Sequence, residues 1–141
     1  MHCFILAKVS LVALLIPAAF KVPASNLHAG DPQSIATGTW GGEHMALEVS
    51  AKGADAELDC AHGKITQPIV LDNRGDFDAA GTFTREHGGP VRRDEAPTSS
   101  PAHYSGRVVG DTMTVTIVLE KEKLGPFTLT HGGRPLLRKC R

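Results

Sequence analysis

A small set of acidic and histidine side chains offers the clearest route to chemistry in this 141-residue chain. If inward-facing positions continue along two neighbouring strands, Glu43 faces His62, and His131 lies near the end of a later strand. Glu86 and His87 lie in a long loop that could reach the same rim. Imidazoles and carboxylates are ligands that Zn²⁺ favours, so we treat Glu43, His62 and His131 as candidate metal ligands.

A simpler interpretation fits the same residues. His62 precedes a glycine, as turn residues often do, and could merely hydrogen-bond Glu43 or the backbone. No two histidines have the close spacing that is typical of metal motifs. The sequence also lacks the His-Glu-x-x-His motif, the Gly-x-Ser-x-Gly nucleophile elbow and the phosphate-binding loop. No motif therefore fixes a reaction.

An N-terminal apolar stretch predicts export. Residues 9–20 are apolar except for Ser10, follow Lys8, and are too short to span a bilayer as a helix. We assign residues 1–29 to a signal peptide and a short N-terminal segment, and residues 30–141 to a single domain. The mature protein is expected to be secreted or periplasmic, with no membrane association after the leader is cleaved.

Cysteine usage agrees with that compartment. Leader cleavage would remove Cys3 and leave Cys60 and Cys140, for which one disulfide is the only intramolecular pairing. The strand pattern places Cys60 inward opposite Met45, so we expect a buried, structural bridge. It would also bring the last strand to the rim that holds Glu43.

The charge balance argues against nucleic acid as a partner. Without the leader's two lysines, 13 basic residues remain against 15 acidic ones, a net charge near −2 with histidines neutral. A nucleic-acid-binding domain normally carries a clustered excess of Lys and Arg. A small-molecule or protein partner is the remaining expectation.

Turn signals separate short stretches of alternating apolar residues. They recur roughly every ten residues, a spacing that predicts an all-β fold, either a small antiparallel up-and-down barrel or a sandwich of about eight short strands. A two-residue turn at residues 52–53 would set Leu47 opposite Leu58 and Met45 opposite Cys60. Extending that hairpin outwards gives the pairing of Glu43 with His62.

A second hairpin turns at residues 110–111. It sets Val108 opposite Met113 and Tyr104 opposite Ile117, which makes Tyr104 a structural residue of the core. Between residues 85 and 101 the alternation fails. Loops of that length are either functional flaps or mobile connectors.

Two resemblances add to these patterns. Gly38-Thr39-Trp40 resembles the Gly-x-Trp start of lipocalin-like and avidin-like barrels, in which the tryptophan closes one barrel end beneath a late basic residue. That resemblance implies a structural role for Trp40, with Arg138 or Arg134 as its cover through a cation–π contact.

The sequences DCAHG and EHGGP, at residues 59–63 and 86–90, are similar to stretches of small exported bacterial β-proteins that have no assigned function. This second resemblance implies a β fold and export. It implies no catalytic residue.

Three functions remain open from the sequence. The leading hypothesis is an exported, non-enzymatic β-barrel module that binds an unidentified ligand or partner without a cofactor. The first alternative is a metal-binding protein or metal-dependent hydrolase that uses the Glu/His cluster, with Zn²⁺ as the ion. The second is a secreted inhibitor that presents the loop at 85–101 to a protease.

Overall fold

The computed structural model describes residues 33–90, 94, 96 and 98–140, and this part of the chain is all-β. The predicted leader and Cys3 lie outside the described residues. Nowhere in the described ranges is there a helix long and apolar enough to cross a membrane. The ten strands of the described part are β1 (Gln33–Ser34), β2 (Gly38–Gly42), β3 (Met45–Ser50), β4 (Gly53–Leu58), β5 (Ala61–Ile65), β6 (Val70–Leu71), β7 (Asp76–Arg85), β8 (Ser99–Val109), β9 (Thr112–Val118) and β10 (Lys123–His131).

Eight of these strands close into an antiparallel barrel. The order around it is β2, β3, β4, β5, β7, β8, β9 and β10, and β10 pairs with β2 to complete the circle. Each barrel strand therefore lies beside the next barrel strand in the chain, which is the up-and-down topology. The all-β prediction is confirmed, and of the two expected architectures the barrel is the one that forms. β1 and β6 make a separate two-stranded sheet.

The barrel interior is filled with side chains. In an eight-stranded barrel the interior is narrow enough for side chains to fill. The largest of the fully buried residues are Trp40, Tyr104, Met45, Leu47, Ile65, Ile69, Met113, Ile117, Leu129 and Val115. Among the described residues, every buried side-chain nitrogen or oxygen has a hydrogen-bond partner. The interior is a packed core.

The second hairpin forms as the sequence predicts. Val108 pairs with Met113 and Tyr104 pairs with Ile117. Tyr104 is fully buried, and its hydroxyl donates a hydrogen bond of 2.7 Å to the carbonyl oxygen of Thr82. The expected structural role of Tyr104 in the core agrees with these contacts.

The first hairpin has a different register from the predicted one. Its turn lies at residues 51–52, so Leu47 pairs with Ala56 and Met45 pairs with Leu58. This is a shift of two residues, which keeps the same side chains inward but ends β4 before Cys60. A new turn at residues 59–60 then leads into β5. The predicted pairings of Met45 with Cys60 and of Glu43 with His62 are wrong.

The barrel has two distinct ends. The turns after β2, β4, β7 and β9 lie together at one end, which we call the disulfide end because Cys60 lies there in the turn after β4. At the opposite end, Ile35 and Ile69 beside the β1–β6 sheet are buried in the core, and the Ile35 N–H donates to the Ile69 carbonyl oxygen at 3.3 Å. Apolar packing thus covers the opposite end.

After β10 the chain returns along the outside of the barrel to the disulfide end. The Gly132 N–H donates to the Thr39 carbonyl oxygen at 2.7 Å, and the Leu136 N–H donates to the Gly42 carbonyl oxygen at 3.0 Å. Gly41 permits this path, because a Cβ there would lie 2.2 Å from the Gly133 carbonyl oxygen. We call residues 132–140 the C-terminal tail. It ends at the disulfide.

Candidate functional site

The disulfide joins Cys60 to Cys140 across 80 residues of sequence, with 5.2 Å between the two Cα atoms. The predicted pairing is confirmed, and it is consistent with an extracellular or periplasmic protein. The expectation of a buried bridge is wrong, because both cysteines are exposed. Cys60 lies in the turn that follows β4, and at that turn the inward alternation of β4 ends.

Lys139 and Glu86 link the C-terminal tail to the barrel wall. The Lys139 ammonium donates to a Glu57 carboxylate oxygen at 2.6 Å and to the Leu58 carbonyl oxygen at 3.0 Å. It also lies 3.6 Å from Glu86. The Nδ1 of His62 donates to the other Glu86 oxygen at 2.8 Å. The His62 hydrogen bond, together with the charge of Lys139, holds the pKa of Glu86 below its ordinary value.

Asp59 anchors the tail on the other side of the disulfide. Its Oδ1 accepts the Arg138 backbone N–H at 2.8 Å, and its Oδ2 lies 2.6 Å from Nδ1 of His44. The Arg138 N–H, followed by His44, lowers the pKa of Asp59. Glu43 is exposed and lies 3.5 Å from His44. Arg138 therefore anchors the tail through its backbone N–H, and the exposed Glu43 side chain lies at the edge of this group beside His44.

His131 contacts Trp40 at the opposite end of the barrel. The two ring centroids are 4.9 Å apart, and the rings are tilted by 41°. Nε2 of His131 lies 2.9 Å from the Thr37 carbonyl oxygen, and the Trp40 indole N–H donates to the Ala36 carbonyl oxygen at 2.9 Å. The cation–π cover that we expected from Arg138 or Arg134 is replaced here by an imidazole from the strand that pairs with Trp40.

The predicted cluster of Glu43, His62 and His131 does not form. Glu43 and His62 have separate partners near the disulfide end, and His131 lies at the opposite end. Strand alternation separates inward from outward positions, but it does not indicate which barrel end a residue occupies. Within the ranges that the structure describes, no three side chains of the metal-ligating types come together to hold an ion. The Glu/His cluster therefore gives no metal site there.

A groove of about 1120 Å³ opens at the disulfide end, beside the end of β7 and the turn between β9 and β10. Pro101, Val118 and Leu119 supply apolar lining, with the buried ring of Phe83 beneath them. Three of the predicted site residues, His62, Glu86 and His87, line the groove. Its other described lining residues are Thr84, Arg85, Ala96, Thr98, Ser100, His103, Glu120, Lys121 and Glu122.

The predicted loop at 85–101 is shorter in the structure. β7 continues to Arg85 and β8 begins at Ser99, so Pro101 is part of a strand and pairs with Thr82. In the connection between the strands, Nδ1 of His87 lies 3.3 Å from the Gly88 carbonyl oxygen. Several residues of this connection lie outside the described residues, and the inhibitor hypothesis stays a prediction.

Arg85 and Glu122 form an ion pair across the groove. Their side chains are hydrogen-bonded, which links the end of β7 to the turn that follows β9. The Arg85 guanidinium also lies 5.8 Å from the ring centroid of Phe83. Sequence reasoning missed both residues, although Glu122 lies in the polar run 120–123, which connects two apolar strands. Elsewhere in the groove, Nδ1 of His103 lies 3.1 Å from the Asp78 carboxylate.

The chain matches no protein-family model, and comparison with curated proteins and with solved structures likewise finds no match.

Proposed function

We propose that this domain is an exported, non-enzymatic binding module, and that the groove at the disulfide end is its binding surface. The groove itself carries the proposal. Ligand sites are typically clefts of about 300–1000 Å³ with an apolar lining and a few polar groups. A groove of about 1120 Å³ lined by Val118, Leu119 and several charged side chains has that composition.

The rest of the barrel supports the same location. Lipocalin-like barrels hold ligands inside, but here large side chains such as Trp40, Tyr104 and Met113 fill the interior. The opposite end is covered by Ile35 and Ile69. A ligand therefore has more room in the groove than inside the barrel.

Support for binding rather than catalysis comes from the groove's polar contacts. Its His62–Glu86 pair resembles the carboxylate–imidazole pairs that orient a general base. In this chain, however, Glu86 also lies beside Lys139 of the C-terminal tail, which the disulfide holds in place. The contacts of Glu86 thus serve to fix the wall of a binding site.

Chemical-shift mapping on the ¹⁵N-labelled, oxidised protein tests this function with a library of small amphipathic molecules. We expect the shifted amides to lie in residues 83–86, 98–103 and 118–122. Val118→Arg should abolish them by placing a charged side chain in the groove. The matched control is Val109→Arg, at the exposed tip of the β8–β9 hairpin, and it should leave them unchanged. Absence of hits, or hits that survive Val118→Arg, would reject the proposal.

A further inference from the structure

The Arg85–Glu122 pair indicates what kind of molecule the groove accepts. Both side chains are substantially exposed, at 62% and 43%, so water competes with their contact. Exposed ion pairs of this kind add little stability, and a competing carboxylate can displace one member. Glu122 therefore occupies the position in which an acidic ligand group would meet the Arg85 guanidinium.

Arg85 and Lys121 are the Lys and Arg cations of the groove's described lining, and Arg85 is the one that lies against the ring of Phe83. Glu86 has partners of its own, His62 at 2.8 Å and Lys139 at 3.6 Å, and Lys139 lies closer still to Glu57. Glu120 and Lys121 are neighbours of opposite charge on the same turn. The described lining thus carries three carboxylates against two Lys and Arg cations, so an acidic ligand group must displace Glu122 before it can pair with Arg85.

Apolar surface lies next to this cation. The Phe83 ring is below the guanidinium, and Val118 and Leu119 precede the turn that carries Glu122. An arginine next to an apolar floor suits a ligand with an acidic head and an apolar body, since the guanidinium binds carboxylates in a planar, two-pronged geometry.

We propose that the groove binds amphipathic organic carboxylates, with the acidic head displacing Glu122 from Arg85 and the apolar body lying on Val118 and Leu119. This inference rests on the proposed binding function. In the unliganded protein, Glu122 acts as an internal competitor that lowers the affinity for such ligands.

A matched series of probes tests the inference: 2-naphthaleneacetate, 2-naphthaleneethanol and 2-naphthylethylammonium, which share one apolar body and differ in head charge. Kd is measured for each by NMR titration of groove amides. In the wild type we expect the carboxylate to bind most tightly. Glu122→Gln should tighten carboxylate binding about two- to fivefold, since an exposed pair contributes about that much. The alcohol should change by less than that.

Two further variants complete the design. Arg85→Gln should remove the preference for the carboxylate while leaving alcohol binding intact. Asp55→Asn removes an acid from the exposed Lys64–Asp55 pair on the barrel wall, with the same change in net charge as Glu122→Gln. It should leave all three Kd values unchanged, which separates a local effect from a general one.

The outcomes distinguish a failure of the carboxylate inference from a failure of the proposed binding function. If the alcohol binds in the groove at least as tightly as the carboxylate, or if Glu122→Gln and Asp55→Asn have equal effects, the carboxylate inference is overturned and the binding groove stands. If none of the three probes shifts groove amides, both proposals fail.

Discussion

The hydroxyl of Tyr104 occupies the space in which any residue other than glycine at position 63 would place its Cβ. A Cβ at Gly63 would lie 1.8 Å from the Tyr104 hydroxyl oxygen and 2.6 Å from the Thr82 carbonyl oxygen. Tyr104 hydrogen-bonds that same carbonyl. The tyrosine can therefore cross the barrel interior only because β5 has a glycine at this point.

Gly63→Ala is expected to destabilise the barrel by about 1–3 kcal/mol, the usual cost of overpacking a filled core. Urea unfolding followed by tryptophan fluorescence would measure the change. In the Tyr104→Phe background the closest clash, with the hydroxyl, disappears, while the Thr82 carbonyl oxygen at 2.6 Å and the ring carbon Cζ at 3.0 Å remain, so the same substitution should cost less. An equal cost in both backgrounds would show that the hydroxyl does not determine the residue at position 63.

Tyr104 also predicts how stability depends on alkaline pH. Burial raises its pKa from 10.0 to about 12, so the unfolded chain releases this proton at a lower pH than the folded protein. Its contribution to stability is complete below pH 10 and is lost as the pH rises to about 12. Linkage puts that loss at about 2–3 kcal/mol, an order-of-magnitude figure.

Absorbance at 295 nm would follow this ionisation without ambiguity, because Tyr104 is the sole tyrosine of the chain. The native protein should titrate near pH 12 and the urea-unfolded protein near pH 10. Tyr104→Phe should lose less stability than the wild type between those values. A native midpoint near 10 would contradict the burial of the hydroxyl.

The disulfide is expected to contribute about 4–5 kcal/mol to the free energy of unfolding, because it closes a ring of 80 residues in the unfolded chain. Cys60→Ser combined with Cys140→Ser should lower the urea midpoint accordingly. The amide signals of Lys139 and Glu86 should shift as the tail loses its anchor. Reduction of the wild type is the control and should give the same midpoint. If the oxidised wild type and the double variant unfold at the same urea concentration, the disulfide does not stabilise the barrel.

Glu86 should contribute to the loss of stability in acid. Its pKa is held below the ordinary 4.5, first by the hydrogen bond from His62 and then by Lys139. A carboxyl with a depressed pKa stabilises the fold above its unfolded pKa, and that stabilisation disappears as the pH falls through the folded value. Urea midpoints of Glu86→Gln should therefore fall less steeply below pH 4.5 than those of the wild type. Glu43→Gln, at an exposed site, is the control and should follow the wild type.

Alternation of apolar residues predicted which side chains face inward, because burial on one face of a strand is a strong and local constraint. Phe77, Ala79 and Phe83 of β7 are buried as that pattern requires. The same pattern could not fix the register of the first hairpin. A shift of two residues leaves every side chain on its face, and only the turn position distinguishes the two registers.

The candidate site was harder to predict because it depends on turns and on the tail. If the inward–outward alternation of β4 continued past Cys60, His62 would point inward. The turn at residues 59–60 interrupts that alternation, and His62 points outward from β5. Lys139 reaches Glu57 and Glu86 only after the tail has crossed the barrel surface. A local sequence pattern does not indicate contacts between residues so far apart in the chain.

Closure of the barrel by β10 against β2 has a consequence for how the chain folds during synthesis. β2 is among the first described strands to emerge, yet its second edge stays without a partner until residues 129–131 arrive. An unpaired edge is a template for association with other chains. Three of the five residues of β2 are glycine, which is a poor strand former. The edge of β2 that stays unpaired until β10 is made is thus rich in glycine, which makes it a poor template for pairing with a strand of another chain.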